Sequence, residues 1–290
     1  MNYEKCDICP RQCGVNRYEK AGFCGGGTVA RVTRAALHFW EEPAVSGEKG
    51  SGTVFFSGCT MRCVFCQNFE ISRTVSGHEY DAEALAEVFL SLENQGANNI
   101  NLVNPVHFAP TVKRALEIAP LKIPVVWNSG GYERVETLRE FEGLVDVYLP
   151  DFKYRSDEKA IRYSAAPDYT ETAAAAIREM FRQTGEPVFE NGLIKKGVIV
   201  RHLILPNMPL QSVKALRYIK EHLPEKILVS LMAQYIPSGD VSDEKYPEIN
   251  RRITHGEYAE VLREYQKLGF DGWVQELSSA DKAFVPVLKD

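Results

Sequence analysis

A chain of 290 residues with 44% hydrophobic content is long enough for one large domain with a full core and a small appendage. A formal net charge of −5 and a pI near 5.8 give no broad basic footprint, which speaks against nucleic acid as a main partner. No run approaches the roughly 18 apolar residues of a membrane helix, and the start, Met1 to Asp7, carries no apolar signal segment, so the expectation is a cytoplasmic protein with no membrane partner.

Residues 1–30 form a cysteine- and glycine-rich appendage. Its thiols stand as Cys6-x2-Cys9-x3-Cys13-x10-Cys24, beside Gly14 and Gly25 to Gly27. A segment so poor in apolar residues needs a metal to fold. Four thiolates suit structural zinc or an auxiliary iron–sulfur cluster, and the spacing leaves both open. Seven cysteines in two groups, an odd number in a reducing compartment, argue against a disulfide framework. Residues 31–52 read as a connecting segment that ends in a glycine-rich loop.

From residue 53 strands and helices alternate. Thr53 to Ser57 is a β-prone run that stops at Gly58. Asp81 caps a helix with Leu85, Val88, Phe89 and Leu92 on one face and Gly96 as its stop. Strands follow over 99–103, 123–127, 145–149, 197–204 and 227–232. Helices are expected over 110–119, 133–141, 156–162, 170–184, 210–222 and 257–268, the last after a polar loop over 235–255. These six strand–helix units predict a parallel sheet with right-handed crossovers, too short for an eight-stranded barrel.

The first of these strands runs into Cys59-x3-Cys63-x2-Cys66. Three thiolates so close together can hold three irons of a cubane and leave the fourth open to a small molecule. A structural zinc normally takes four protein ligands, and this loop offers three.

Cysteines at this spacing directly after a strand, with Phe65 before the last of them, resemble the radical S-adenosylmethionine (radical SAM) enzymes. The resemblance implies a [4Fe–4S] cluster on Cys59, Cys63 and Cys66, with SAM chelated to the free iron and Phe65 near the adenine. It also implies the architecture: an α/β fold built as a partial (β/α)6 TIM-like barrel over 53–290, carrying the N-terminal metal-binding appendage.

In such barrels the chemistry lies at the C-terminal strand ends. Those ends carry Asn104-Pro105-Val106-His107-Phe108, Asn128-Ser129-Gly130-Gly131-Tyr132, Pro150-Asp151-Phe152-Lys153, Arg201-His202 and Gln234-Tyr235-Ile236-Pro237. Taken together these phrases resemble the pyruvate formate-lyase activating-enzyme-like subgroup. Asn104 stands where many relatives have Gly-Gly-Glu for the SAM amino group. Asp151 and Lys153 match an Asp-x-Lys that contacts SAM. His107 and Asn128 are candidates for contact with SAM or substrate, and Arg201 for neutralising a carboxylate. Trp127 and Tyr132 read as packing.

The implied activity is reductive cleavage of SAM to a 5′-deoxyadenosyl radical that takes hydrogen from a substrate. The substrate could be a glycyl-radical enzyme, as for an activase, or a small molecule or metal cofactor. The reading from a different class is a non-catalytic iron–sulfur electron-transfer protein. A flavodoxin or ferredoxin is the expected reductant, with Arg62 and Arg73 able to meet an acidic surface.

Overall fold

The computed structural model describes residues 1–280. The elements run β1 (Ala30–His38), α1 (Pro43–Ser46), β2 (Ser51–Phe56), α2 (Phe69–Arg73), β3 (His78–Tyr80), α3 (Ala82–Asn94), β4 (Ile100–Val103), α4 (Ala109–Ile118), β5 (Val125–Ser129) and α5 (Val135–Arg139). They continue as β6 (Val147–Pro150), α6 (Asp157–Ser164), α7 (Tyr169–Thr184), β7 (Val188–Glu190), β8 (Leu193–Leu203), α8 (Pro209–His222), β9 (Leu228–Met232), α9 (His255–Leu268) and β10 (Gly272–Val274).

β2, β4, β5, β6, β9 and the second half of β8 are apolar runs buried on both faces. Such strands belong in a parallel sheet covered by helices. They pair parallel in the order β2-β4-β5-β6-β8-β9-β10, and the sheet does not close on itself. This is a partial TIM-like barrel. Asp81 caps α3 by accepting from the Ala84 N–H at 2.9 Å, and Thr254 with Glu257 forms a capping box on α9.

Two features depart from the expectation. β10 adds a seventh parallel strand, too short to announce itself by pattern. The segment 31–52, read as a connection, holds β1 and α1. β1 pairs antiparallel with β2 from Val32↔Phe56 to His38↔Ser51. It therefore runs toward the starting end of the parallel strands. There Ala44 and Val45 of α1 pack on Val126, Val147, Leu149 and Ile199.

The appendage has no helix or strand. It is clasped to the barrel through its own backbone carbonyls. Arg134 donates to the Asp7 carbonyl and Thr137 to that of Ile8 at 2.6 Å. Arg17 is buried and donates to Gly26 at 3.1 Å, to Gly27 and, on the barrel side, to His107. No described helix is long and apolar enough to cross a membrane.

Candidate active site

Residues 57–68 leave β2 and wrap the opening of the half-barrel. Each turn of this loop is tied to a different neighbour. Gly58 N–H donates to Ile71 at 2.7 Å, Arg62 N–H to Ser164 at 2.9 Å and Val64 N–H to Tyr163 at 2.8 Å. The loop after β9 returns the hold: Asp240 N–H donates to the Val64 carbonyl at 2.8 Å and the Ser238 hydroxyl to that of Phe65 at 3.1 Å. Gly58 has φ +87°, and a Cβ there would lie 2.5 Å from the Cys24 carbonyl oxygen, so only glycine fits.

Cys59, Cys63 and Cys66 all line one cavity of about 250 Å³. Burial, then the facing Cys63 and Cys66, push the Cys59 thiol up to about 12. Burial and then Cys63 push Cys66 up to about 11. Thiols that resist ionising beside one another are the donors whose charge a metal centre relieves, because ligation deprotonates them. N–H and O–H groups already point at the sulfurs: Met61 N–H at 3.3 Å from Cys59 Sγ, and the Ser164 hydroxyl at 3.0 Å from Cys63 Sγ. Such bonds tune iron–sulfur sites. The three residues fit a cluster.

The same cavity is lined by a buried ionic ring. Arg201 Nε donates to Asp151 Oδ1 at 2.9 Å, its Nη2 to Asn128 Oδ1 at 2.7 Å and its Nη1 to Glu41 Oε2 at 3.4 Å. Asn128 Nδ2 donates to Glu41 Oε1 at 3.2 Å, and Lys153 pairs with Asp151. Burial raises the Asp151 carboxyl, but Arg201 and then Lys153 outweigh it and hold it below the usual range. The ring thus presents fixed cationic donors and anionic acceptors together. This is the chemistry that receives a zwitterion such as the methionyl end of SAM.

Phe65, Asn104, Asn128, Asp151, Lys153 and Arg201 share the cavity with the three cysteines. Phe65 is fixed edge-on to Tyr235, ring centres 5.9 Å apart. Asn104, at φ +58°, is a brace: its side chain donates to the Gly58 carbonyl at 2.9 Å and its backbone N–H to that of Asn128 at 2.7 Å. His107 does not line the cavity. It lies behind the wall, fully buried, with Nε2 2.8 Å from the Ser57 carbonyl oxygen, and burial lowers its pKa to about 4.

The four N-terminal cysteines face one another. Cys13 is in side-chain contact with Cys6, Cys9 is acted on by all three others, and the Cys13 and Cys24 sulfurs converge on Gly22. As they stand, no group of three or more Cys, His, Asp or Glu among the described residues is arranged to hold a metal ion. The second metal site that the spacing suggested is therefore not shown. In the cluster loop too, thiols at the corners of a cubane stand farther apart than those around one ion.

Glu41 and Trp40 went unrecognised in the sequence. They lie in the segment taken as a connection, and the signal was an acidic pair, Glu41-Glu42, directly after two aromatics. Arg62 and Arg73 also bond within the chain. Arg62 donates to the Phe23 carbonyl at 3.1 Å, and Arg73 donates to the Arg62 carbonyl at 2.9 Å.

Residues 53–216 match the family model described as the radical SAM superfamily. The chain belongs to that superfamily. It is 32% identical over 281 residues to an uncharacterised protein of Methanocaldococcus jannaschii, covering 93% of this chain and 76% of the relative. Among solved structures it superposes on a radical SAM methyltransferase from Sphaerobacter thermophilus with TM-score 0.55 and 12% identity, covering 78% of this chain. It superposes on a spore photoproduct lyase mutant with TM-score 0.53 and 14% identity, covering 84% of this chain and 80% of the other. Streptococcus suis SuiB bound to S-adenosylmethionine gives TM-score 0.51 at 10% identity over 78% of this chain. The chain spans 66% of the methyltransferase and 50% of SuiB. At such identities these likenesses show the fold. Membership in the radical SAM superfamily implies an enzyme with a [4Fe–4S] cluster and SAM.

Proposed function

We propose that this radical SAM enzyme abstracts a hydrogen atom from a small polar substrate admitted through the open side of its half-barrel. The observation that carries this reading is that three thiols and the Glu41–Asn128–Arg201–Asp151–Lys153 ring line one cavity of about 250 Å³. A reduced cluster held there would supply the electron for cleaving SAM to methionine and a 5′-deoxyadenosyl radical.

This chain's own residues hold, orient and shield. Cys59, Cys63 and Cys66 would ligate the cluster, with Met61 N–H and the Ser164 hydroxyl donating to thiolate sulfur. Arg201 and Lys153 offer donors to a carboxylate, and Asp151 and Glu41 offer acceptors to an ammonium. Phe65 and Met61 close the cavity with apolar surface. Because the ring is held rigidly by its own bonds, its dipoles need no reorganisation when the ligand arrives. The strand-end polar set also argues against a non-catalytic electron carrier, which needs no such pocket.

A glycyl-radical enzyme as substrate is the second reading. Its support is the likeness of the strand-end phrases to activating enzymes, together with a cavity open at the side. We propose a flavodoxin or ferredoxin as electron donor, docking on the cluster-loop face, where the exposed Arg62 lies beside Phe23. We also propose that Cys6, Cys9, Cys13 and Cys24 bind a second metal, zinc or an auxiliary iron–sulfur cluster. Their convergence in an appendage without regular structure supports it.

The substrate class is tested by incubating reduced, reconstituted enzyme and SAM with fractions of cells grown in deuterated water. Deuterium entering 5′-deoxyadenosine from the small-molecule fraction is the expected result. Deuterium entering only from the protein fraction would replace it with the activase reading.

A further inference from the structure

Burial raises the Glu41 and Glu42 carboxyls above their usual range even though Arg201 opposes it. Among the described residues, these two and Asp151 face two cations, Arg201 and Lys153. Asp151 takes both cations at close range. Glu41 is left with the far edge of Arg201 at 3.4 Å and an amide. Glu42 is 93% buried, and its Oε2 meets no hydrogen-bond partner. A buried carboxylate oxygen without a donor is costly, so structures seldom keep one idle.

Glu42 does not lie in a sealed core. It lines a second cavity of about 150 Å³ that adjoins the first and shares Glu41, Arg201, Met232 and Gln234 with it. Trp40 and Trp273 also line this cavity, and Ser230 faces Glu42 from β9. Trp40 is 61% exposed and borders both cavities, so it stands at the way in. Glu42, with its unpartnered oxygen, lines this cavity beside Glu41 and together with the Trp273 indole, and such a wall forms a receptor for an organic cation. A carboxylate supplies charge-assisted bonds, and an indole face turned to the ligand would add cation–π attraction worth about 0.5–2 kcal/mol.

We infer that the second cavity is a subsite for a guanidinium or alkylammonium group, so the substrate carries such a group a short chain away from the carbon that loses hydrogen. The inference rests on the function proposed above and names its substrate class. A carboxylate or phosphate ligand is disfavoured there because it would meet the Glu41 and Glu42 carboxyls. An uncharged group would leave Glu42 Oε2 without compensation.

The test is isothermal titration calorimetry of the reconstituted holoenzyme with n-butylguanidinium and with the neutral near-isostere n-butylurea. The expected result is saturable binding of butylguanidinium, at least about tenfold tighter than butylurea, as for one charge-assisted pair. Glu42→Gln should weaken the cation and leave the urea unchanged. Equal binding of both compounds by the wild type, or no binding of either, would overturn the inference without need of any variant. The same preparation is assayed for 5′-deoxyadenosine formation from SAM. Cleavage without cation selectivity removes the subsite alone. Selectivity without cleavage keeps the subsite and removes the radical reading.

Discussion

The Cys59 N–H donates to the carbonyl of Cys24 at 3.2 Å. One backbone hydrogen bond thus joins the first cysteine of the cluster loop to the last cysteine of the appendage. Arg11 repeats the link. It donates to Thr60 at 2.9 Å and stacks on Phe23 at 3.9 Å, one residue before Cys24. The order of the appendage and the geometry of the cluster loop are therefore coupled mechanically.

Gly58→Ala breaks this junction. The new Cβ would meet Cys24 O at 2.5 Å from a backbone at φ +87°. The strain is about 1–3 kcal/mol before any clash is relieved. The expected outcome is a lower melting temperature and substoichiometric iron after reconstitution, read by differential scanning fluorimetry and by iron and sulfide analysis.

If the appendage holds a metal, loss of a ligand there should be felt at the cluster. Cys9→Ser and Cys24→Ser are expected to lose the second metal and to retain less of the [4Fe–4S] cluster during gel filtration. Zinc, iron and sulfide content check this. Full cluster retention in both variants would uncouple the two sites.

Asp151→Asn removes the shared counter-charge of Arg201 and Lys153, both mostly buried. Orphaning a buried charge costs about 3–5 kcal/mol. Arg201 keeps Asn128 and Glu41, so the loss should fall at the lower end. Denaturant unfolding measures it. Affinity for SAM should drop about tenfold or more, since a charge-assisted bond is worth about 1.5–3 kcal/mol. Equilibrium dialysis reads that effect separately.

Glu133 is 1% exposed, and Trp127 Nε1 and the Ser129 hydroxyl approach its two oxygens at 2.6 and 2.9 Å. Burial raises its pKa to about 7. In the unfolded chain it titrates at about 4.3. Between these values the folded state binds the extra proton, so stability falls as pH rises from about 4.3 to 7 and levels off above. The loss is on the order of 2–4 kcal/mol. Glu133→Gln should flatten this stretch of the stability–pH curve, measured by urea unfolding across the range. An unchanged slope would remove Glu133 as its source.

What was legible in the sequence was local or doubly buried. The C-x3-C-x2-C loop is a local pattern. β2, β4, β5, β6 and β9 are apolar runs because both faces are covered. β1 was illegible because it is half-exposed along most of its length and alternates too loosely to read as a strand. Its consequence was lost with it: the strand returns the chain to the far end of the barrel, and only that return brings Glu41 to Arg201, 160 residues away in sequence. The strand-end residues were expected as a set, and Asn104, Asn128, Asp151, Lys153 and Arg201 do line one cavity while His107 does not. Their division of labour was not expected, since Asn104 braces the loop and His107 backs the wall through backbone carbonyls that no pattern encodes.

The central claim is tested most directly by 5′-deoxyadenosine formation from SAM and dithionite, in anaerobically reconstituted wild type and in Cys63→Ala. Formation by the wild type and its loss in Cys63→Ala is the predicted result. An intact cluster in the wild type with neither SAM binding nor 5′-deoxyadenosine would contradict the account.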